Sequence, residues 1–585
     1  MDKNTLIAVV LSVIVITGGF MIQGVFFPPE EPQQTISQEI VQVADDTVSQ
    51  SDSSQQSTTD TISVPVSSSG VIPWDEDGLE PLAREITHET ELFSVTFSTV
   101  GGTVSSIKLK EHLDNGVPLE MIQNNESGMN AFELYFGSNE SGAIKDLFYY
   151  KKIDNNTHEF YRNFKLTETS YFTLKKTYVF APDDYMFELH ISFENSENAY
   201  LPLNFSGYSY TLGFGPQIGP DAEITGGRNE YRKYFTYENG KLENNKLKNN
   251  LASVENNVSW AAIAGKYFTV IGIPDSTQYT VTFLDSIEKK VTIDSMVFFS
   301  RPVIKSSRNT DVYRFYVGPK LNNVLSKYND SDKNSFGVSD LDLEEVIDTS
   351  SWLGWLEWIL KKLLVFSYSL VPNYGIAIIL MTIIVKIVLF PFTHKSYEST
   401  SRMQALAPKI NEIKEKFKDT PTKMNAQMAE LYKREKVNPM GGCLPMLLQM
   451  PIFIALYGLL TKHFDLRGAV FIQGWITDLS GPESIFYFGK WIPNGLPLLG
   501  WTDIRLLPIL FTVTMVISQK LMQTPGADVA GGSSMKMMTT MMPVMFFFIM
   551  YNSPSGLLLY WTITNLFTML QQQFISYRRK KASAG

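Results

Sequence analysis

Lys386 is the only charged residue between Gly375 and Phe392, a run of aliphatic and small side chains. An ionisable group inside an apolar segment is costly, faces a bundle interior or water, and marks a functional site by default. The bland reading is a snorkelling lysine, since Phe392 lies six residues further on, about 9 Å along a helix. Polar company favours function: Thr382 stands one turn earlier on the same face, and Gln449, Gln519 and Asn565 interrupt other apolar stretches. Each alone could be glue between helices; together they could line a wet cavity. The five apolar stretches of the C-terminal region hold no Asp or Glu. A proton relay or cation site is therefore disfavoured, and a solitary positive charge could instead attract acidic or polar segments of a passing chain.

Other chemistry finds little support. The chain lacks GxxxxGK[ST], HExxH and GxSxG patterns, its six His are scattered, and Cys443 is its single cysteine. Nucleotide hydrolysis and zinc chemistry are not expected, no intrachain disulfide can form, and neither cofactor, metal nor enzymatic activity is foreseen. Seven methionines between Met535 and Met550 would suit an adaptable apolar surface, or equally lipid contact or core filling.

The elements that must position Lys386 follow from composition. The mean hydropathy of -0.05 would suit a soluble protein, but it averages two unlike regions. Residues 28–351 carry 47 Asp+Glu against 26 Lys+Arg, a net of -21; the rest carry 13 against 24, a net of +11, which together give the -10 of the 585-residue chain. An acidic polar block beside a basic apolar one indicates a membrane protein with a large domain on one side. Leu6 to Phe27 is uncharged over 22 residues, enough for an N-terminal anchor spanning residues 1–27. Residues 28–91, rich in Ser, Thr, Gln, Asp and Pro, read as a flexible tether. From 92 to 348 the period turns to two, as in Phe93, Val95 and Phe97, with turns at Gly101-Gly102, Asp114-Asn-Gly116 and Asn239-Gly240. An all-β, sandwich-like domain is expected there.

Residues 349–585 then read as a helical core. Segment 352–362 is an amphipathic interfacial helix with Trp352 and Trp355, and apolar stretches at 363–392, 441–460, 504–521, 537–551 and 556–575 are candidate spans. Between the first two, 396–436 is expected to fold as a helical hairpin broken at Asp419-Thr-Pro421. Its apolar stripes are Met403, Leu406, Ile410, Ile413 and Phe417 against Met424, Met428, Leu431 and Tyr432. Ten Lys/Arg in 393–440 and four at 578–581 put those flanks in the cytoplasm, so six spans with both termini inside satisfy every loop.

Three stretches carry a family resemblance: Val437-Asn-Pro-Met-Gly-Gly-Cys-Leu-Pro-Met-Leu-Leu-Gln-Met-Pro-Ile-Phe-Ile-Ala-Leu-Tyr457, Pro554-Ser-Gly-Leu-Leu-Leu-Tyr-Trp561, and Asn565 through Gln571-Gln-Gln573. The sequence resembles the YidC membrane protein insertases of the long Gram-negative type. That resemblance implies a supersandwich-like β domain over Leu92 to Lys320, within a periplasmic region of residues 28–350, and a bacterial inner-membrane location. It also implies a five-helix core whose hydrophilic groove receives nascent hydrophobic segments without ATP hydrolysis. By motif match, Thr382, Gln449, Trp561 and Asn565 join Lys386 as groove positions. The family usually carries arginine where Lys386 stands; the positive charge is kept and the bidentate fork is lost. Implied partners are nascent membrane proteins and the lipid bilayer, with the Sec translocon, the ribosome or a signal-recognition receptor docking on the 396–436 hairpin and the basic C-terminus. The rival readings are a secondary transporter with its site at Lys386, an anchored carbohydrate-active or scaffold protein acting through the β domain, and a passive assembly chaperone.

Overall fold

The structure is a computed structural model. It describes residues 71–584 apart from 76–80, 115, 123–128, 166–169, 198–202, 206, 216–231, 249, 255–257, 289–290, 348–352, 436, 438–443, 490, 493–494, 497–500 and 523–532. The expected N-terminal anchor and most of the expected tether lie outside the described residues.

The two-residue period becomes strands that bury alternate side chains. Phe93–Ser98 buries Phe93, Val95 and Phe97, and Tyr171–Phe180 does the same along its whole length. The strands form sheets of ten, five and four strands, every named pairing antiparallel. In the largest sheet Met186–Asn195 sits between Tyr171–Phe180 and Arg308–Pro319. Asn239 and Gly240 join Lys233–Glu238 to Lys241–Asn245, both with positive φ (51° and 75°), the geometry a two-residue hairpin loop requires. An aromatic core fills the space between the sheets, with Phe132, Phe187 and Phe315 in mutual contact. Two strands fall inside the expected tether: Glu85–Glu89 pairs with Phe93–Ser98, and Ile72–Pro73 pairs with Phe164 and Lys165. Polar composition concealed them, because a short edge strand buries few side chains and gets its order from ladder hydrogen bonds.

The C-terminal region contains eight described helices of ten residues or more: α1 Gly354–Leu370, α2 Tyr374–Ala405, α3 Ala407–Lys416, α4 Pro421–Arg434, α5 Leu444–Lys462, α6 Leu506–Met522, α7 Ser533–Met550 and α8 Ser555–Ala584. The expected boundary between interfacial helix and span at 362/363 moves. The break falls at Val371–Asn373, so Leu363–Leu370 belong to α1. Pro372 disfavours helix at the residue before it, and the Asn373 side chain accepts the Ile376 N–H at 3.1 Å to start α2. The same helix runs on to Ala405, past the expected end of its apolar segment. Beyond it α3 and α4 pack as a hairpin around Met403, Leu406, Ile410, Met428 and Leu431, with Lys409 paired to Glu435 at 2.8 Å.

Among the described residues, one helical segment, Tyr374–His394, is long and apolar enough to cross a membrane alone; Leu448–Thr461, Leu506–Leu521 and Met541–Met550 are apolar but shorter. α1, α2, α5, α6 and α8 share one core, in which Ile378, Met381, Leu456, Leu460, Leu557 and Leu558 are buried. The bundle meets the β domain through the turn after α5. There Phe464 packs edge-on against His112, Tyr267 and Phe268, while the Arg467 guanidinium lies 5.2 Å above the Phe268 ring and donates to the Leu113 carbonyl at 3.0 Å.

Buried histidines make the β domain sensitive to acid. His88 and His158 meet edge to face at 4.7 Å, His88 against Phe180 and His158 against Phe97, and neither Nε2 has a hydrogen-bond partner among the described residues. Burial, reinforced by nearby cations including Lys152, lowers both affinities for protons, that of His158 to about 4. The unfolded chain binds protons at these sites from about pH 6.5 downward, so stability is intact above that pH and falls until about pH 4. Thermal unfolding of the full chain in detergent, followed by its β-sheet circular dichroism, should drop over that window. His158→Phe should flatten the drop; an unchanged pH profile would contradict this assignment.

Candidate functional site

α2 is apolar by composition, and its outward side chains, Ile387, Val388 and Phe392, are more than 60% exposed. Lys386 sits on the opposite side, half-buried, and its Nζ donates to Thr568 Oγ1 of α8 at 3.1 Å. Thr568 Oγ1 in turn donates to the Thr564 carbonyl at 2.9 Å. The ammonium therefore meets a hydroxyl of a neighbouring helix instead of reaching along its own helix toward head groups.

The other expected residues distribute around this bond. Thr382 is buried, and its hydroxyl donates to the Ile378 carbonyl at 2.6 Å; a threonine bonded back to its own helix has little left to offer a ligand. Asn565 is half-buried and its Nδ2 donates to Thr514 Oγ1 of α6 at 3.4 Å. Gln449, on α5, interacts with the buried Tyr560 hydroxyl of α8. Trp561 is stacked between Phe453 of α5 (4.4 Å) and Phe511 of α6 (5.0 Å), with Phe546 of α7 at 5.7 Å on its edge. α8 thus unites four of the five residues, as owner of Trp561 and Asn565 and as partner of Lys386 and Gln449, whereas Thr382 stands apart in the packed core. Gln519 turns elsewhere, its Nε2 lying 3.9 Å from Met542 Sδ.

The residues missed from sequence share a spacing that could have revealed them. Tyr560, Thr564, Thr568 and Gln572 recur every four residues along α8, which puts them on one face. Gln571 continues this polar seam by donating to Thr393 of α2 at 3.1 Å. Gln572 is 3% exposed, and neither end of its amide has a hydrogen-bond partner among the described residues. A buried amide with all its hydrogen-bonding capacity unused is costly unless water or a ligand meets it.

The two ends of the seam differ. At the end where α2 and α8 begin, the connection after α5 lies directly across them. Asn373 donates to the Phe471 carbonyl at 3.4 Å, Ser555 N–H to Gly481 at 2.7 Å and Gly556 N–H to Leu479 at 3.0 Å. Phe471 approaches Gly375 so closely that any side chain there would collide with its ring. At the other end lies a cleft of ≈ 780 Å³ lined by Phe390, His394, Glu398, Arg402, Glu435 and Phe574. One end is capped and the other open.

The aromatic stack is the rigid part of the site. Trp561→Ala should cost about 3 kcal/mol of stability, read as a lower melting temperature in detergent. Trp561→Phe should recover most of the loss, and an alanine variant as stable as the parent would show that the stack carries no load.

Comparison with known proteins agrees with this layout. The model of the YidC periplasmic domain matches residues 85–366, and that of the 60Kd inner membrane protein matches residues 366–582. The membrane protein insertase YidC of Treponema denticola is 38% identical over 99% of this chain and 100% of its own length. Its namesake in Treponema pallidum is 34% identical over 98% of both. A solved structure, the active YidC insertase with its first transmembrane domain resolved, aligns over 84% of this chain and 94% of that one at 18% identity and a TM-score of 0.33. Relatives so similar along the whole length establish that the chain belongs to the YidC family of membrane protein insertases.

Proposed function

We propose that this chain inserts nascent membrane proteins into the bacterial inner membrane, receiving their apolar segments along the seam between α2 and α8 and releasing them sideways into lipid. The observation that carries the reading is the Lys386–Thr568 bond: a lone cation inside an apolar bundle, paired with no carboxylate among the described residues, heading a polar row with unused hydrogen-bonding capacity. Lys386, Gln449, Trp561 and Asn565 are its contact positions, and Thr382 contributes through the buried packing of α2. A polar or acidic stretch of the client is drawn to the ammonium while its apolar helix partitions into the bilayer. Burial of client apolar surface, ~0.8 kcal/mol per CH₂, and the membrane potential drive the transfer, so no nucleotide is consumed and no covalent chemistry is performed.

On this reading the chain crosses the membrane six times, with both termini and the α3–α4 hairpin in the cytoplasm and the β domain in the periplasm. The ten basic residues of 393–440 favour that orientation. The capped end of the seam then faces the periplasm and the ≈ 780 Å³ cleft faces the cytoplasm, where nascent chains emerge. The hairpin and basic C-terminus are the surfaces for ribosome, signal-recognition receptor or Sec translocon. Apolar segments shorter than a full span, such as Leu448–Thr461, favour a locally thinned bilayer, which lowers the barrier for polar client segments. The secondary-transporter reading lacks the carboxylate that coupling to a cation or proton would use.

Lys386→Glu should reduce insertion of clients with acidic extracytoplasmic tails by about tenfold, the effect of ~1.4 kcal/mol, in vesicles containing this protein alone. Lys386→Arg should insert them as the parent does, and clients with neutral tails should be affected less. Equal insertion of acidic-tailed clients by the Glu variant would remove the electrostatic role.

A further inference from the structure

The connection between α5 and α6 does more than cap the seam. Its second half, from Ile485 to Leu496, is folded back on itself by backbone bonds. Phe486–Tyr487 pairs with Asp503–Ile504, Phe488 N–H donates to the Thr502 carbonyl at 2.9 Å, and Leu496 N–H donates to the Trp501 carbonyl at 2.8 Å. The base of this hairpin is fixed to the bundle. Trp501 stacks 3.7 Å from Tyr551, Arg505 donates to the Tyr551 carbonyl at 2.8 Å, and Glu483 accepts both the Trp475 indole N–H (2.8 Å) and the Leu507 N–H (2.7 Å). The large side chains among the described residues of this hairpin are exposed. Ile485, Phe486, Tyr487, Trp491 and Ile492 are 46%, 47%, 57%, 74% and 40% exposed.

A soluble surface seldom presents so many contiguous apolar side chains on a braced hairpin without a partner. From these observations we infer that the Ile485–Leu496 hairpin is a lipid anchor, seated in the phospholipid headgroup layer on the side of the membrane where α2 and α8 begin. Three features select lipid. First, residues 484–502 contain no acid and one base, Lys490, a composition suited to the headgroup boundary and not to a partner recognised by charge. Second, exposed apolar side chains recur in the segment that follows, at Ile504 and at Ile509, Val513 and Ile517 of α6, each 40% exposed or more; in an inner-membrane protein that helix face meets acyl chains. Third, Tyr487 and Trp491 are amphipathic rings of the kind enriched at the membrane–water boundary. Trp355 and Trp358 of α1, 64% and 60% exposed, belong to the helix that leads into the same end of the bundle. The hairpin thereby holds the cap over the seam at a fixed height against the membrane surface.

The test uses the full chain in phospholipid vesicles, with Cys443 replaced by serine and a single cysteine at Trp491 or, in a second variant, at Tyr487, labelled with an environment-sensitive fluorophore. Nitroxide lipids carrying the spin label near the head group should quench both probes about twofold more than lipids labelled deep in the acyl chain. The same probe at Leu251, an exposed residue of the β domain, should be quenched by neither. Using two positions guards against release of the hairpin by loss of Trp491. Probes at 487 and 491 as unquenched as the one at 251 would overturn the anchor. So would probes that leave water only when ribosome-bound client is added, which would make the hairpin a surface for protein. Neither outcome depends on whether the client is inserted.

Discussion

A positive charge held inside an apolar helical bundle is the constraint on which the rest of this structure depends. Lys386 can stay there because α8 brings a hydroxyl to it, Thr568, 3.1 Å away. That single requirement explains why α8, although its sequence is apolar enough to pack against α2 and α6, carries a polar residue at every fourth position. It also explains why the two helices approach through a seam of hydrogen bonds, Lys386 to Thr568 and Gln571 to Thr393, in a region where most helix contacts are apolar. A polar seam in a low-dielectric bundle is costly to leave partly satisfied, and Gln572 leaves it so.

The seam functions only if its ends behave differently. The connection after α5 closes one end by direct contact, with Phe471 against Gly375 and the Leu479 and Gly481 carbonyls taking the first N–H groups of α8. The same connection carries Phe464 and Arg467 into the β domain. One chain segment therefore caps the seam and fixes the β domain over it. At the opposite end a cleft opens, with Glu435, at the end of the α3–α4 hairpin and paired to Lys409, in its lining. One end covered and the other open is the asymmetry a one-way insertion device needs.

Much of this was legible in the sequence, and the exceptions have physical causes. Lys386 stands out in the sequence as a lone charge in an apolar run, although spacing alone leaves a snorkelling lysine open, and the β domain stands out because period-two burial repeats over strands such as Tyr171–Phe180. The hairpin stripes Met403, Leu406 and Ile410 against Met428 and Leu431 were legible for the same reason at helical period. Thr568 was not. A threonine among apolar residues is ordinary, and its role appears only when α2 comes to lie beside it. Thr382 misled in the opposite direction: same-face spacing put it next to Lys386, but spacing cannot tell that its hydroxyl is already spent on the Ile378 carbonyl. The break at Val371–Asn373 was overlooked because apolar residues continue across it, although Pro372 and the Asn373 cap mark it locally. The edge strand Glu85–Glu89 was hidden by polar composition, since its order comes from backbone pairing.

The central claim is that client segments pass along the seam of α8. Photo-crosslinkers at Gln449, Trp561 and Asn565, in vesicles containing only this protein, can be challenged with ribosome-bound client chains of increasing length. Passage along the seam should give crosslinks to all three positions over a limited window of chain lengths, followed at greater length by loss of crosslinking and protease-protected insertion. Absence of crosslinks at every length, or crosslinks that never give way to insertion, would contradict it.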